Sequence, residues 1–492
     1  MDLEKYRKQA EDFISEADKE YYLHFSGQKD EYNLTEIYEK HKDLFTKKAI
    51  EEIKNLGEGI SGEDKKRLDY LFHFCTKEYI GQQIKEIKQE IAQDESKAMI
   101  TIDDEEVSFR KSRVIISNET EQEKRAEIES KRIEKIKKFN TKYKEKWNKF
   151  HSLSKELGYN NYAQLCSKLM NVDFDKLSEL MQNFLNKTDE LYKNAMDKQL
   201  SEKIGLTLEQ AKYYDIWYFS RGKGYDYLFP KEELINSFGK TCYKLGIDLE
   251  SQKNINIDIE TRDKKSPRAF LCAVKVPDEI YLNIMPEGGV SDYSSFLHEG
   301  GHAQHFANVS KELPFEFKYL GDNSVTEGYA FLFNYLFLSP YWLKDFLGIE
   351  DADSLIRFLL NRKLYMLRRY SGKLIYETKF HDGSLIEGKD KIFKERLSSA
   401  TLVEYASENY LSDLDEGFYS SSYLRAWLFE AQLRQFFKEK YGPRWYVNEK
   451  VGELLREMWY YGQKYSVDEI LDQLGLGKLS IEPIINQFQK LK

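Results

Sequence analysis

Proline is absent from the first 229 residues of this chain, and the first one met is Pro230. An interior proline costs a helix about 3 kcal/mol or more, so its absence leaves that whole length free to form long helices. The apolar residues use the freedom. In LTEIYEKHKDLFTKKAIEEI (34–53) and FDKLSELMQNFLNKTDELYKNAM (174–196) they recur at intervals of three and four, the spacing of one helical face. One stretch breaks the pattern: AMITIDDEEVSFRKSRVIIS (98–117) has short β-branched runs around an acidic turn, which predicts a hairpin. GEGISGED (57–64) and RGKGYDYLFP (221–230) have the composition of loops.

The texture changes after Pro230. NINIDIET (254–261) alternates apolar and polar residues, and RAFLCAVKVPDEIYLNIMP (268–286) carries two more strand-like runs, so a small sheet is expected here. Helical spacing then returns at 291–309, about 324–338, 351–378, 387–410, 419–440 and 448–464, closing with SVDEILDQLG and SIEPIINQFQKL. The expected fold class is therefore mainly α with a small β-sheet. The change near 230 marks the expected boundary between a helical region, 1–230, and a second region, 231–492.

A net charge of −9 argues against a nucleic-acid partner held by phosphate contacts. The one basic run, KSRVIISNETEQEKRAEIESKRIEKIKK (111–138), is interleaved with glutamates and is the solvated face of a helix. YAFLFNYLFL (329–338), the most apolar run, is too short to cross a bilayer, is stopped by Pro340 and is expected to be a core helix. The charged start MDLEKYRKQAEDF lacks the apolar core of an export signal, which implies a cytoplasmic protein. Cys75, Cys166, Cys242 and Cys272 are scattered without a CxxC pair, as expected for reduced, buried thiols.

The chemistry concentrates in LHEGGHAQHF (297–306). His298 and His302, four apart, fall on one helix face about 5 to 6 Å apart at Cβ, which suits two corners of a zinc tetrahedron. Glu299, one step on from the first histidine, can flank the open metal position as a base. Gly300 and Gly301 are unexpected between them, since each interior glycine costs roughly 1 kcal/mol relative to alanine. A close approach to that backbone is implied, either by a substrate strand or by a neighbouring helix.

A catalytic zinc needs a third protein ligand. His305 lies on nearly the same stripe but a further turn along, so a packing or substrate-facing role is expected of it. Glu312 and Glu316 lie in KELPFEF, whose Pro314 implies a loop with solvated charges. Glu327, in GDNSVTEGYAFLFNYL, is the favoured ligand: a carboxylate at the start of a buried helix, on a second helix antiparallel to the first. The competing role is a capping box formed by Ser324 and Glu327.

His298-Glu299-Gly300-Gly301-His302 followed by Glu327 resembles the gluzincin arrangement of the thimet oligopeptidase and oligoendopeptidase F family, with similarity to the peptidyl-dipeptidases of the angiotensin-converting enzyme family. The likeness continues upstream in SPRAFLCAVKVPDEIYLNIMP, like the edge strand before the zinc helix, and downstream in GFYSSSYLRAWLFEAQL, like a tyrosine-bearing helix. It implies a large helical ellipsoid whose two halves form one body around a deep channel that admits short peptides, with one Zn2+ held by His298, His302 and Glu327. It implies Glu299 as general base and Tyr419 and Tyr423 as hydrogen-bond donors to the oxyanion, with Tyr410 a weaker candidate.

Two departures stand out. No histidine follows His381, and Phe331 occupies the place of an acidic residue that orients a ligand, for which Asn334 is the candidate substitute. The strand at 269–273 is the candidate edge for substrate addition. Arg425 and Arg268 are arginines that could meet a peptide carboxylate, although surface ion pairs are their commoner role. The implied activity is a zinc metallopeptidase acting on short peptides, most simply an endo-oligopeptidase. The alternatives are a peptidyl-dipeptidase or carboxypeptidase, and an inactive peptide-binding protein of the same fold.

Overall fold

A computed structural model describes all residues, Met1–Lys492, and 69 % of them are helical, which establishes the mainly α class with a small sheet. Eleven helices exceed ten residues: α1 (Leu3–Phe25), α2 (Gly62–Lys97), α3 (Gln122–Glu156), α4 (Phe174–Ile204), α5 (Lys231–Lys244), α6 (Val290–Ala307), α7 (Asn323–Asn334), α8 (Asp353–Phe380), α9 (Lys389–Thr401), α10 (Tyr419–Tyr441) and α11 (Glu449–Tyr460). The strands are β1 (Met99–Ile102), β2 (Glu105–Ser108), β3 (Ile255–Asp258), β4 (Phe270–Lys275) and β5 (Glu279–Asn283). No helix is long and apolar enough to cross a membrane. The run 329–338 is buried throughout as the end of α7 and a following 3-10 turn, and all four cysteines are buried free thiols.

The chain divides into two compact units made of discontinuous segments: residues 1–79, 223–356 and 425–484 in the first, and 80–222, 357–424 and 485–492 in the second. The first unit contains the three-stranded sheet, ordered β3-β5-β4, with β3 parallel and β4 antiparallel to β5. β4 is an edge strand. α1 packs on the sheet through Tyr22, which stacks on Tyr281 at 3.9 Å and closes over Cys272 and Val274.

α6 and α7 cross closely, and the two glycines explain how. A Cβ on Gly301 would stand 2.7 Å from the Ala330 Cα and 2.9 Å from the Tyr329 carbonyl oxygen, both on α7. A Cβ on Gly300 would meet the Phe238 ring of α5 at 2.7 Å. The neighbouring helix, not a substrate strand, is what the small surface admits. The contacts run antiparallel: Ser294 meets Asn334, His298 meets Phe331, and His302 meets Thr326.

In the second unit the hairpin is shorter than its sequence predicts. Asp103 and Asp104 both take positive φ, the signature of a tight type I′ turn, and β2 ends at Ser108. Ser108 then accepts the Lys111 N–H as the cap of a helix over Phe109–Ile116, whose buried Phe109, Ser112 and Ile116 show the helical period that the β-branched composition concealed. The helix expected over 387–410 also stops early, at Thr401. Leu402 turns left-handed, and the Glu404 carbonyl accepts the Tyr213 N–H at 3.3 Å instead of continuing the helix. Pro340, expected to stop a helix, instead opens one over Pro340–Leu347 in the first unit, capped by Ser339.

Candidate metal centre

The position of Glu327 is set by how α7 starts. Asp322, not Ser324, is the N-cap, and its carboxylate accepts the Ser324 N–H at 2.9 Å. That removes the capping-box role and leaves Glu327 a full turn into the helix. Arg425 fixes the cap by donating to Asp322 at 2.8 and 3.0 Å and to the Ser324 hydroxyl at 3.0 Å, with Asp468 on its other side at 3.0 Å. Arg425 is therefore committed to this helix start rather than to a peptide carboxylate.

His298, His302 and Glu327 bring one donor atom each to within 4.8 Å of one another. The Glu327 carboxylate oxygen lies 3.2 Å from His298 Nε2 and 3.6 Å from His302 Nε2. Ligands about 2.0 to 2.1 Å from a tetrahedral zinc stand roughly 3.3 to 3.4 Å apart, so this donor set fits the ion in both type and spacing. Burial alone would push the Glu327 carboxyl up. The hydrogen bonds and charge of the two imidazoles outweigh that and hold it well below the usual carboxylate range.

One polar neighbour of the cluster carries no signal in the sequence. His302 Nδ1 lies 2.7 Å from the Thr326 hydroxyl in a buried bond, which turns Nε2 toward Glu327. Thr326 precedes Glu327 by a single residue, a placement with no spacing signature. Asn334 does not serve this purpose, because its amide donates to the Ser294 carbonyl and stands 3.0 Å from the Ser294 hydroxyl, tying α7 to α6 one turn from His298. Phe331 packs its ring against His298 at 5.0 Å.

His305 and Glu316 have structural partners. His305 is buried against Tyr329, with Nε2 3.2 Å from the Gly462 carbonyl, and burial pushes it down to about 3. Glu316 is a buried ion-pair partner of Arg7 at 2.7 Å and Arg67 at 3.4 Å. Glu312 joins no ligand cluster. Arg268 is exposed.

Glu299 sits next to the cluster on α6. Burial, set against the charge of His302 and His298, raises its carboxyl, and the Leu271 N–H of β4 lends it a hydrogen bond. A carboxylate with a raised pKa exchanges protons more readily near neutral pH. Tyr419 and Tyr423 open α10 in the second unit, half-buried, their rings edge to face at 5.0 Å and Tyr423 set 5.6 Å from Tyr370. Tyr410 ends a short 3-10 turn, its carbonyl accepting the Tyr376 hydroxyl at 2.8 Å.

The sequence matches no family model and no curated protein. Solved structures do match. A Bacillus anthracis structure assigned as an oligoendopeptidase F aligns over 96 % of this chain and 84 % of its own at a TM-score of 0.60 and 14 % identity. PZ peptidase A, solved with an inhibitor, aligns over 98 % and 90 % at 0.65 and 14 %. The M32 carboxypeptidase of Deinococcus radiodurans R1 aligns over 99 % and 98 % at 0.64 and 10 %. The chain has the fold of these peptidases, the fold implied by the resemblance in its sequence.

Proposed function

We propose that the protein is a zinc metallopeptidase that hydrolyses short peptides, acting as an endo-oligopeptidase. The observation that carries this reading is the convergence of two imidazoles and a carboxylate at zinc-like separations, with a second carboxylate, Glu299, beside them on α6. The shared fold with three peptidases supports it.

In this reading His298, His302 and Glu327 hold one Zn2+, and the Thr326 hydroxyl keeps the His302 ring in register. The ion, when bound, acts as a Lewis acid on the scissile carbonyl and makes water more acidic. Glu299 takes the proton from the attacking water and delivers it to the leaving amine. The free edge of β4 offers backbone N–H and C=O groups that bind the substrate as an added strand. Tyr419 and Tyr423 are the proposed donors to the developing oxyanion, a role that rests on the resemblance alone.

Zinc content and cleavage of a short-peptide library, compared for wild type and Glu299→Gln, test the proposal. The variant should keep one zinc per chain and lose turnover by several orders of magnitude; unchanged turnover removes Glu299 from the role of base. A carboxy-directed enzyme is the competing reading, favoured by the M32 carboxypeptidase alignment over nearly the full length of both chains. Cleavage of peptides amidated at the C-terminus supports endopeptidase action, and refusal of them supports the competitor.

A further inference from the structure

Tyr21, His24 and Phe25 share one face of α1 at its C-terminal end, spaced by three and four residues. Their rings touch, Tyr21 with Phe25 at 4.3 Å and His24 with Phe25 at 4.8 Å. The chain then doubles back. Gly27 takes a φ of +73° against the backbone of Lys265, where a Cβ would stand 2.8 Å from the Lys265 nitrogen, and Glu20 accepts the Asn33 N–H at 2.6 Å. That return lays Tyr32 on the other rings, stacked on His24 at 5.0 Å and edge to face with Phe25 at 5.7 Å. A fifth ring comes from the sheet: Phe270 of β4 meets Tyr21 edge to face at 5.5 Å, and close by the Phe25 carbonyl accepts the Ser266 N–H at 2.8 Å. All of these residues belong to the first unit.

Five rings in contact would ordinarily be core, yet these face solvent. Tyr21 is 38 % and Tyr32 40 % exposed, and His24, Phe25 and Phe270 are half-buried. The two exposed rings are not hydrogen-bonding struts either. Tyr22, Tyr38, Tyr281 and Tyr319 of the same unit each engage a protein partner through the hydroxyl, whereas Tyr21 and Tyr32 have none. Rings fixed by their neighbours but left open to water offer faces and edges to one more ring, and a contiguous exposed patch of this kind marks a binding surface.

The adjoining strand indicates what covers it. Side chains alternate across β4: Phe270, Cys272 and Val274 lie on the α1 face with Tyr22, and Leu271 lies on the other, while its N–H bonds the Glu299 carboxylate of α6. α1 and α6 both pack on this strand. A peptide added to the β4 edge puts every second side chain on the α1 face, each with its Cβ about 4.5 to 5.5 Å from that of the facing β4 residue. The side chain beside Phe270 therefore lands on the rings of Phe270 and Tyr21, next to the backbone that meets Glu299.

We propose that Tyr21, Phe25, Tyr32 and Phe270 form a subsite for an aromatic side chain of the peptide laid along the β4 edge, so that peptides with phenylalanine, tyrosine or tryptophan within two residues of the cleaved bond are preferred. The inference rests on the peptidase reading for the word substrate, but not for the binding itself. A flat ring can use both the faces and the edges offered here and an aliphatic side chain cannot, so phenylalanine outranks leucine.

The test uses quenched fluorescent peptides of one length, blocked at both ends: an alanine-based peptide, and the same peptide with phenylalanine, leucine or glutamate walked through each position. The zinc-loaded wild type should give kcat/KM roughly 10- to 100-fold higher for phenylalanine at one position than for alanine there, the size of moving a phenyl ring from water onto an apolar surface, with leucine in between and glutamate no better than alanine. Tyr21→Ala should cut that ratio by roughly 3- to 10-fold, the worth of one aromatic pair, and Tyr21→Phe should keep it, because the ring and not the hydroxyl makes the contact. The ratio compares two peptides on one protein, so a smaller folded fraction leaves it unchanged. A flat phenylalanine profile in the wild type, or an unchanged ratio in Tyr21→Ala, overturns the proposal. The same peptides, labelled, are titrated by fluorescence anisotropy against zinc-loaded Glu299→Gln protein with and without Tyr21→Ala. Binding that favours the phenylalanine peptide and depends on Tyr21, with no cleavage by wild type, upholds this inference while sinking the peptidase reading; cleavage without aromatic preference does the reverse. Sedimentation velocity reads the other occupant: a dimer that Tyr21→Ala dissolves, with no preference for phenylalanine, assigns the rings to a second copy of this chain and overturns the proposal.

Discussion

Replacing Gly301 with alanine sets two effects against each other. Alanine is the better helix former by about 1 kcal/mol, so an unconstrained site gains stability. Here the added Cβ lands 2.7 Å from the Ala330 Cα and 2.9 Å from the Tyr329 oxygen, where ordinary contact begins at 3.4 Å. Both obstacles are backbone, so no side chain can rotate away. The helices must separate by about 0.7 Å, the difference between 3.4 and 2.7 Å. Such overpacking typically costs 1–3 kcal/mol, which exceeds the propensity gain.

The same crossing sets the separations of 3.2 and 3.6 Å between the Glu327 carboxylate and the two imidazoles. A separation of about 0.7 Å is several times the roughly 0.2 Å by which metal-ligand distances vary in sound sites. Gly301→Ala should therefore lower the midpoint of thermal unfolding followed by circular dichroism and weaken zinc at least tenfold in competition with a chromophoric chelator. Gly224→Ala, which meets nothing within 4 Å, is the control and should change neither. Wild-type zinc affinity and stability in Gly301→Ala would refute the idea that the glycine sets the depth of the helix crossing.

Thr326→Val removes the hydroxyl 2.7 Å from His302 Nδ1 while keeping the side-chain shape, and should weaken zinc about 10- to 100-fold, whereas Thr326→Ser should hold it; equal affinities in all three proteins exclude the orienting role. In the second unit, Glu377 is fully buried, accepts the Asp415 N–H at 2.8 Å, and is pushed up to about 8, chiefly by burial and against the pull of Lys373. A carboxyl raised above its unfolded value stabilises the fold at low pH and loses that contribution as pH climbs from about 4.5 to about 8. The melting temperature of Glu377→Gln should therefore rise relative to wild type across that window, and a constant difference from pH 5 to pH 8 contradicts the raised pKa.

What could be read from the sequence was whatever repeats with a fixed period. A four-residue interval puts His298 and His302 on one face in any helix, and apolar residues at intervals of three and four mark long helices wherever proline does not interrupt. Alternation over 254–261 and two runs over 268–286 sufficed to find β3, β4 and β5. Composition misled where it competed with a cap. The β-branched run at 114–116 suggested a strand, but Ser108 had already started a helix. Pro340 suggested an end, but Ser339 before it made the proline a first helical residue.

The arrangement that makes the centre depends on residues whose partners are remote in sequence. Thr326 reaches His302 across 24 positions, and Arg425 holds the Asp322 cap across 103. None of these side chains belongs to the motif, yet each fixes one degree of freedom of the donor set. Gly301 sets how deeply α6 and α7 cross, Asp322 with Arg425 sets where α7 begins, and Thr326 sets the rotation of one imidazole. Two histidines and a glutamate placed on helices without these supports would keep the same residue types and spacing but scatter their donor atoms by an ångström or more, enough to lose the zinc geometry. The supports are therefore the residues whose substitution separates zinc binding from the presence of the motif.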